Sequence, residues 1–554
     1  MKKIYYIPLL LCLTAVLASA ATRSEKQEIS RNLDIFNSLY KILQTTYVDT
    51  IDAEKSMTTA INAMLNDIDP YTEYIPEKDQ EDFMTISTGE FGGIGAYIQQ
   101  LPSGETMVSE PQEGTPAAKV GLKAGDVFLT IDGDTVTSIG SDKVRERLRG
   151  QAGTDLVVTV RRPYVEDSIR TFHITRAKID VQTVPYYGVA RDSIGYILLT
   201  AFNEKAAPEV RKALQELLKD PRVKGIALDL RGNGGGLLES AVEIVGMFVP
   251  KGTEVLRTRG RGLTNEKIYK TTKAPIDTKI PLVVMIDDGS ASSSEITAGA
   301  LQDLDRAVIV GERSFGKGLV QSTRQLPSNG LLKVTIAKYY IPSGRLIQAI
   351  DYSHRNPDGS PARVPDSLTN VFYTRAGREV RDGGGITPDI KVEYPEGNRL
   401  VYNIVRDRWD FNFATKYAAE HDSIPAPDKF IVDDELFEQF KASIDPAKFE
   451  YDKVCEVIVD ELEKAAKREG YLSDEVSAQI ESLRQLLKHN LNKDLDNNRE
   501  IISDYLTSEI VKRYYYNRGN IISLLRTDDA IDRIVQLFGN PDEYKSILSA
   551  PKAK

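Results

Sequence analysis

Acyl transfer needs an exposed nucleophile, a base beside it and bare amides to hold a developing oxyanion. This sequence offers one segment for each. Gly289-Ser290-Ala291-Ser292-Ser293-Ser294-Glu295-Ile296 follows an apolar run ending near Ile286 and precedes a stretch rich in Ala and Leu. A serine at such a strand-to-helix turn can project its hydroxyl while the helix N-terminal amides face developing negative charge; the plainer reading is an N-cap serine. Gly311-Glu312-Arg313-Ser314-Phe315-Gly316-Lys317-Gly318 follows the run Ala307–Val310. A lysine between two glycines can approach other backbone closely; the plainer reading is a solvated loop lysine. It is not a phosphate-binding loop, because Gly318 follows the lysine and the first glycine stands at the wrong distance for G-x-x-x-x-G-K-[ST]. Leu230-Arg231-Gly232-Asn233-Gly234-Gly235-Gly236 leaves backbone N–H groups unshielded, which suits an oxyanion hole; otherwise it is a flexible turn before a helix.

These segments need a scaffold, and the pattern around them supplies one. Strands are expected at Gly195–Thr200, Gly225–Leu230, Pro281–Ile286, Ala307–Val310 and Lys333–Ala337, with helices at Ala207–Leu218, Leu237–Phe248 and Ser293–Leu304. Strands alternating with helices imply a largely parallel sheet with covered faces. Before it, residues 21–88 read as helical: Ile35, Phe36, Leu39, Tyr40, Leu43 and Tyr47 recur at helical spacing, as do Met57, Ile61, Met64 and Leu65, and Asp69-Pro70 breaks the second helix. From Gly89 to near Lys178 the texture is β-rich, with Asp132-Gly133 as a turn, a short capped helix at Ser141–Leu148 and a strand at Leu156–Val160. A polar stretch, about 351–384, interrupts the core, and after 396 the chain is charged and helical, with 487–500 a loop or a solvated helix. Val454, Val457, Ile458 and Leu462 form one amphipathic face there, and Ile502, Tyr505, Leu506 and Ile510 another.

Composition narrows the classes. The 554 residues, 41% hydrophobic and 27% charged, are enough for several packed domains. A net charge of -10 argues against nucleic acid as a partner. Cys12 and Cys455 are the two cysteines, and the four histidines show no metal-ligand spacing, so neither a metal nor another cofactor is expected. Lys2-Lys3, the apolar run Ile4–Val16 and Ala18-Ser19-Ala20 read as a secretory signal, cut after Ala20; an N-terminal membrane anchor is the alternative.

Taken together, L-R-x-N-G-G-G, S-A-S-x-S-E-I and G-E-x-x-F-G-K-G, then Tyr340-Ile341-Pro342-Ser343-Gly344 and Gly385-Ile386-Thr387-Pro388-Asp389, resemble in order and spacing the carboxyl-terminal processing (tail-specific) peptidases over roughly residues 30–395. The resemblance implies a crotonase-like α/β core in which Ser292 is the nucleophile, Lys317 the general base and Gln321 the group that orients the lysine amine. It places the oxyanion donors at the backbone N–H groups of Gly236 and Ser293. The family usually has alanine at position 293, where this chain keeps the amide and gains a hydroxyl. Asp303 falls where the family has a structurally supportive acid. A lysine base must be neutral, so its free pKa of about 10.4 has to fall by roughly three units, at about 4 kcal/mol of desolvation. No histidine stands between Ile174 and Ser353, which disfavours a histidine triad.

The β-rich module resembles a PDZ domain through Thr115-Pro116-Ala117-Ala118, Gly121-Leu122-Lys123, Gly125-Asp126 and Ile131-Asp132-Gly133. By that likeness Gly93-Ile94-Gly95-Ala96 would capture a substrate's C-terminal carboxylate. The expected architecture is multidomain α+β: a signal at 1–20, a helical region at 21–88, an inserted PDZ domain at 89–179, the peptidase core at 180–395 and a helical region at 396–554. The resemblance implies an exported, periplasmic serine endopeptidase that acts on proteins with apolar C-terminal tails. The C-terminal helices are expected to pack on the protease or to form a homo-oligomer. A non-catalytic PDZ binder or chaperone, or a latent enzyme awaiting an activating partner, are the competing readings.

Overall fold

The computed structural model describes residues 6–262, 266–356, 361–393 and 397–550. Contacts divide the chain into two compact units, the smaller comprising Met1–Lys78 with Gln321–Thr335 and the larger Asp79–Val320 with Ile336–Lys554.

In the smaller unit a long helix, Tyr6–Thr46, precedes Ala53–Asn66, which starts where the Asp52 carboxylate accepts the Lys55 amide at 2.9 Å. The expected break at Asp69-Pro70 has a physical agent: the Asp69 carboxylate accepts the amides of Tyr71 and Thr72 at 2.8 and 2.7 Å. The chain then forms the strand Glu73–Ile75, antiparallel to the Leu331 end of Leu331–Tyr340. Ile35, Phe36, Leu39 and Leu43 do share a helix, with Tyr47 just past its end, but all five are exposed. Residues 1–5 of the expected signal lie outside the described residues. Among the described residues no helix is long and apolar enough to cross a membrane.

The larger unit opens with the β-rich module. Its sheet runs Ala96–Gln100, Thr106–Pro111, Val127–Ile131, Asp155–Arg161, Ile169–Thr175, every neighbour antiparallel. Asp132 and Gly133, with φ 51° and 86°, join Ile131 to its partner Asp134, which is the left-handed two-residue turn that suits strand twist. Ile94, Val108, Phe128, Val144, Leu148 and Val158 fill its core. The helix Ser141–Leu148 forms as expected but without a side-chain cap, because its N-cap residue is Gly140. Ala96–Gln100 is one edge strand and Ile169–Thr175 the other.

The core sheet has the order Tyr186–Ala190, Ile194–Leu198, Gly225–Asp229, Leu282–Ile286, Val308–Gly311, Ile390–Lys391. The first pair is antiparallel and the rest parallel. Every residue of Gly225–Asp229 and Leu282–Ile286 is buried, as the continuous apolar runs require of strands covered on both faces. The helices Ala206–Leu217, Leu238–Val245 and Ser293–Asp303 share one hydrophobic core with the sheet. A second core joins Tyr196, Ala227, Val283 and Val308 of the sheet to Ile521, Ile531, Ile534 and Phe538 near the C-terminus.

One expected member of this sheet lies elsewhere. Lys333–Ala337 belongs to Leu331–Tyr340, whose Ala337–Tyr340 end pairs antiparallel with Glu254–Gly260. Within Leu331–Tyr340 only Leu331 and Tyr339 are fully buried, instead of an unbroken buried run, which fits a strand outside the doubly covered sheet. Within 351–384 the chain makes two short antiparallel pairs, Ile350–Arg355 with Pro361–Arg363 and Val371–Tyr373 with Glu379–Arg381. The C-terminal helices have a further core of their own around Phe413, Phe437, Phe440, Ile502, Leu506 and Ile510. Segment 487–500 contains the helix Leu491–Asn497, with Leu495 buried. Val454, Val457, Ile458 and Leu462 are exposed on Val454–Glu469, which buries Val459 instead.

Candidate active site

Ser292 ends the turn between the strand Leu282–Ile286 and the fully buried helix Ser293–Asp303. Its φ of 54° is unusual for a side chain with a Cβ, at a cost of about 1–3 kcal/mol that the surroundings must offset. They do so through Glu295, three residues on and completely buried. Glu295 Oε2 accepts the Ser292 amide at 2.8 Å and the Lys317 amide at 2.9 Å. Its other oxygen accepts the Gly316 amide at 2.7 Å and the Ser314 hydroxyl at 2.5 Å. Burial pushes the Glu295 carboxyl up to about 7, against those four donors, which pull it down.

A second clamp works on the opposite polarity. The hydroxyl of buried Tyr339 lies 2.8 Å from the Lys317 carbonyl and 3.2 Å from that of Ser292. One carboxylate thus gathers the amides of the two residues and one phenol gathers their carbonyls. Both side chains of the expected pair are half-buried. The glycines flanking Lys317 answer to close packing: a Cβ at Gly316 would stand 2.3 Å from the Ala349 Cβ, and one at Gly318 2.9 Å from the Gln348 nitrogen.

The glycine loop closes on the nucleophile from the other side. A Cβ at Gly235 would lie 2.8 Å from the Ser292 Cβ, and one at Gly236, whose φ is 144°, would lie 2.1 Å from the Phe202 carbonyl oxygen. Asn233 braces this loop: its Nδ2 donates to Leu199 O at 2.7 Å and its Oδ1 accepts the Gly235 amide at 2.9 Å. Its carbonyl accepts from the Ala291 amide at 3.0 Å and the Ser294 hydroxyl at 2.7 Å. Ser293 is the first residue of its helix, so its amide has no acceptor within the helix. The Ser293 hydroxyl donates to the Gly236 carbonyl at 2.9 Å, a link that alanine there would lack.

The remaining expected residues find places of their own. Gln321 belongs to the smaller unit, and its Nε2 donates to Thr335 Oγ1 at 3.2 Å. Asp303 pairs with buried Arg345 at 2.9 Å and accepts the Ser343 amide at 2.9 Å, a structural duty at the Tyr340–Gly344 turn. Gly93, Ile94, Gly95 and Ala96 line a cavity of about 360 Å³ together with Ile98 and Leu148. Gly95 has φ 75°, and a Cβ there would meet Thr115 at 2.4 Å. Glu295, Tyr339 and Asn233 carry duties that motif reading alone did not assign. Glu295 had a visible signal, an acid three residues into a helix, but not its reach to Lys317.

Comparison with known proteins decides the family. Residues 193–358 match the model described as peptidase family S41, residues 107–162 that of a PDZ domain and residues 400–538 that of the C-terminal helical domain of a probable PDZ-protease. A carboxy-terminal-processing protease of Bartonella bacilliformis is 36% identical over 383 residues, 69% of this chain and 79% of that protein. The chain belongs to peptidase family S41. A probable CtpA-like serine protease of Staphylococcus haemolyticus is 31% identical to this S41 chain over 80% of its length and 87% of the relative's. A solved photosystem II D1 C-terminal processing protease aligns with 65% of this chain and 92% of its own at 26% identity and a TM-score of 0.34. The S41 chain is accordingly a serine peptidase with a PDZ domain and a helical C-terminal domain.

Proposed function

We propose that the protein is an exported endopeptidase whose PDZ domain takes up apolar C-terminal tails and whose Ser292–Lys317 dyad cuts the chain upstream of them. The observation that carries this reading is the Glu295 carboxylate, which accepts the amides of Ser292 and Lys317 on a single oxygen. In the proposed cycle Lys317 Nζ takes the Ser292 proton as Oγ bonds to the scissile carbonyl carbon. The amides of Gly236 and Ser293 hold the oxyanion. Collapse breaks the C–N bond, and the leaving amine takes the proton from Lys317. Water then attacks the acyl-serine ester as Lys317 accepts its proton; the acyl C–Oγ bond breaks, Lys317 returns the proton to Ser292 Oγ, and the second product leaves. Gln321 is assigned to orient the lysine amine and the core to the crotonase-like class, both on the motif resemblance. Lys2-Lys3, the apolar run and Ala18-Ser19-Ala20 support export. The edge strand Ala96–Gln100, beside the cavity at Gly93–Ala96, supports tail capture by strand addition.

The test is cleavage of an unfolded protein bearing an apolar C-terminal tail by the wild type, Ser292→Ala and Lys317→Ala. Only the wild type is expected to cut, with each variant losing at least about 10⁴-fold. Full activity in Lys317→Ala overturns the dyad. Tail binding without cleavage by the wild type indicates a binder or a latent enzyme instead.

A further inference from the structure

Arg231 stands at the head of the glycine loop and is held from two sides. From the sheet, Asp229 accepts the Arg231 Nη2 at 2.6 Å, Nε at 3.0 and 3.1 Å and the Arg231 amide at 3.0 Å. Asp229 is itself fixed by the hydroxyl of buried Tyr196 at 2.7 Å. From the opposite end of the sequence, Asp528 Oδ2 meets the same Nη2 at 2.6 Å. Asp528 divides its oxygens: Oδ1 caps the helix Asp529–Gly539 by accepting the Ala530 and Ile531 amides at 2.9 and 3.4 Å, leaving Oδ2 for the arginine.

That helix cannot drift. Ile531, Ile534, Leu537 and Phe538 are buried in the core shared with the sheet, and a Cβ at Gly225 would stand 2.5 Å from the Phe538 ring. Beyond Arg231 the loop connects directly to the nucleophile turn. The Gly232 amide donates to the Asp287 carboxylate at 2.8 and 3.0 Å, and the Asn233 carbonyl accepts the Ala291 amide at 3.0 Å. On its outer side Arg231 borders a cavity of about 930 Å³ that also presents Asp504 and Asp529. Asp504 and Asp529 offer Arg231 alternative carboxylates there. Of the two carboxylates that hold it, Asp229 anchors the guanidinium to the sheet and Asp528 sets its direction toward the helix.

We propose that Asp528, in the C-terminal helical domain, is a positioning residue for catalysis: by fixing Arg231 it holds the loop that presents the Gly236 amide to the oxyanion. This rests on the oxyanion role proposed for Gly236. Asp528→Asn tests it, because asparagine caps a helix as well as aspartate does but puts an amide NH2, which cannot accept from Arg231, in place of Oδ2. Its kcat on a tailed unfolded substrate is expected to fall tenfold or more, on the order of what a misplacement of a fraction of an ångström to 1 Å produces. KM and the melting temperature are expected to stay at wild-type values, and Asp529→Asn to retain full activity. Arg231→Met should lose activity too, and the double variant no more than Arg231→Met alone. A wild-type kcat in Asp528→Asn, a loss that follows the melting temperature, or losses that multiply in the double variant would each overturn the positioning role alone. A wild type whose cleavage does not depend on Ser292 overturns the reading beneath it, and the positioning role with it.

Discussion

Glu295 is the residue whose chemistry is most exposed to test. Its four partners are all donors, so the arrangement needs a carboxylate, while burial favours the acid and pushes it up to about 7. A carboxyl that binds its proton more tightly when folded stabilises the fold below its unfolded value, and that contribution is lost as pH rises through about 7. Activity should move the other way, since the ionised form is the one that clamps Ser292 to Lys317. Comparison with Glu295→Gln, which cannot titrate, isolates both effects. Between pH 5 and 8 the wild type's lead in melting temperature over the variant should shrink, while its lead in kcat, about 100-fold, should widen. A stability lead that grows with pH would contradict the assignment. Ser293 offers a milder test: Ser293→Ala removes the bond to Gly236 O, worth about 0.5–1.5 kcal/mol, and should lower kcat a few-fold without changing KM. Ser292 and Lys317 were singled out in sequence by the motif resemblance, with glycine frames and a strand-to-helix turn as local marks that alone left an N-cap serine and a loop lysine open. Tyr339 and the Arg231–Asp528 pair were not, since their partners lie far along the chain and only the folded sheet brings them together.

At the scale of elements, the PDZ module is where sequence and structure agree most closely, because turn chemistry fixes it. Asp132-Gly133 makes the tight hairpin, and the helix Ser141–Leu148 follows. What the pattern could not show is which strands are left at the edges. The strand Ala96–Gln100 is one of the two, and its loop contains Gly95 at a φ that favours glycine, packed against Thr115. A tail entering here would pair with the strand and place its carboxylate at the loop amides. Amidating the tail removes the charge and should weaken binding by about 10- to 100-fold, the worth of hydrogen bonds to a charged group. Titrating free and amidated peptides by fluorescence anisotropy measures this, and equal affinities would remove the carboxylate role from Gly93–Ala96. Lys333–Ala337 shows the converse limit: a short strand-like run does not say which sheet it joins, and its partial burial became visible only once the partners were.

For the whole molecule, the C-terminal helices raise the largest question, because their amphipathic faces could be read from sequence but not what covers them. Part of the answer is internal, around Phe437 and Leu506, and part is the peptidase sheet itself. Parallel strands buried on both faces need a cover on each side. Ile521, Leu525, Ile531, Ile534, Leu537 and Phe538 lie in the core that contains Ile194, Ala227, Val283 and Val308. At about 1.5–3 kcal/mol per fully buried large apolar side chain, six of them amount to roughly 10 kcal/mol or more, comparable to the whole net stability of a typical domain. A chain ending at residue 520 should therefore fail to form the core sheet: it should be poorly soluble, bind a hydrophobic dye and show no cooperative melting. Phe538→Ala, at about 3–5 kcal/mol for a large-to-small core change, should lower the melting temperature while the chain still folds. Residues 521–548 on this account belong energetically to the enzyme's core, although they lie far along the chain from its motifs. A shortened chain that melts cooperatively and still presents a reactive Ser292 would show that the sheet stands without them.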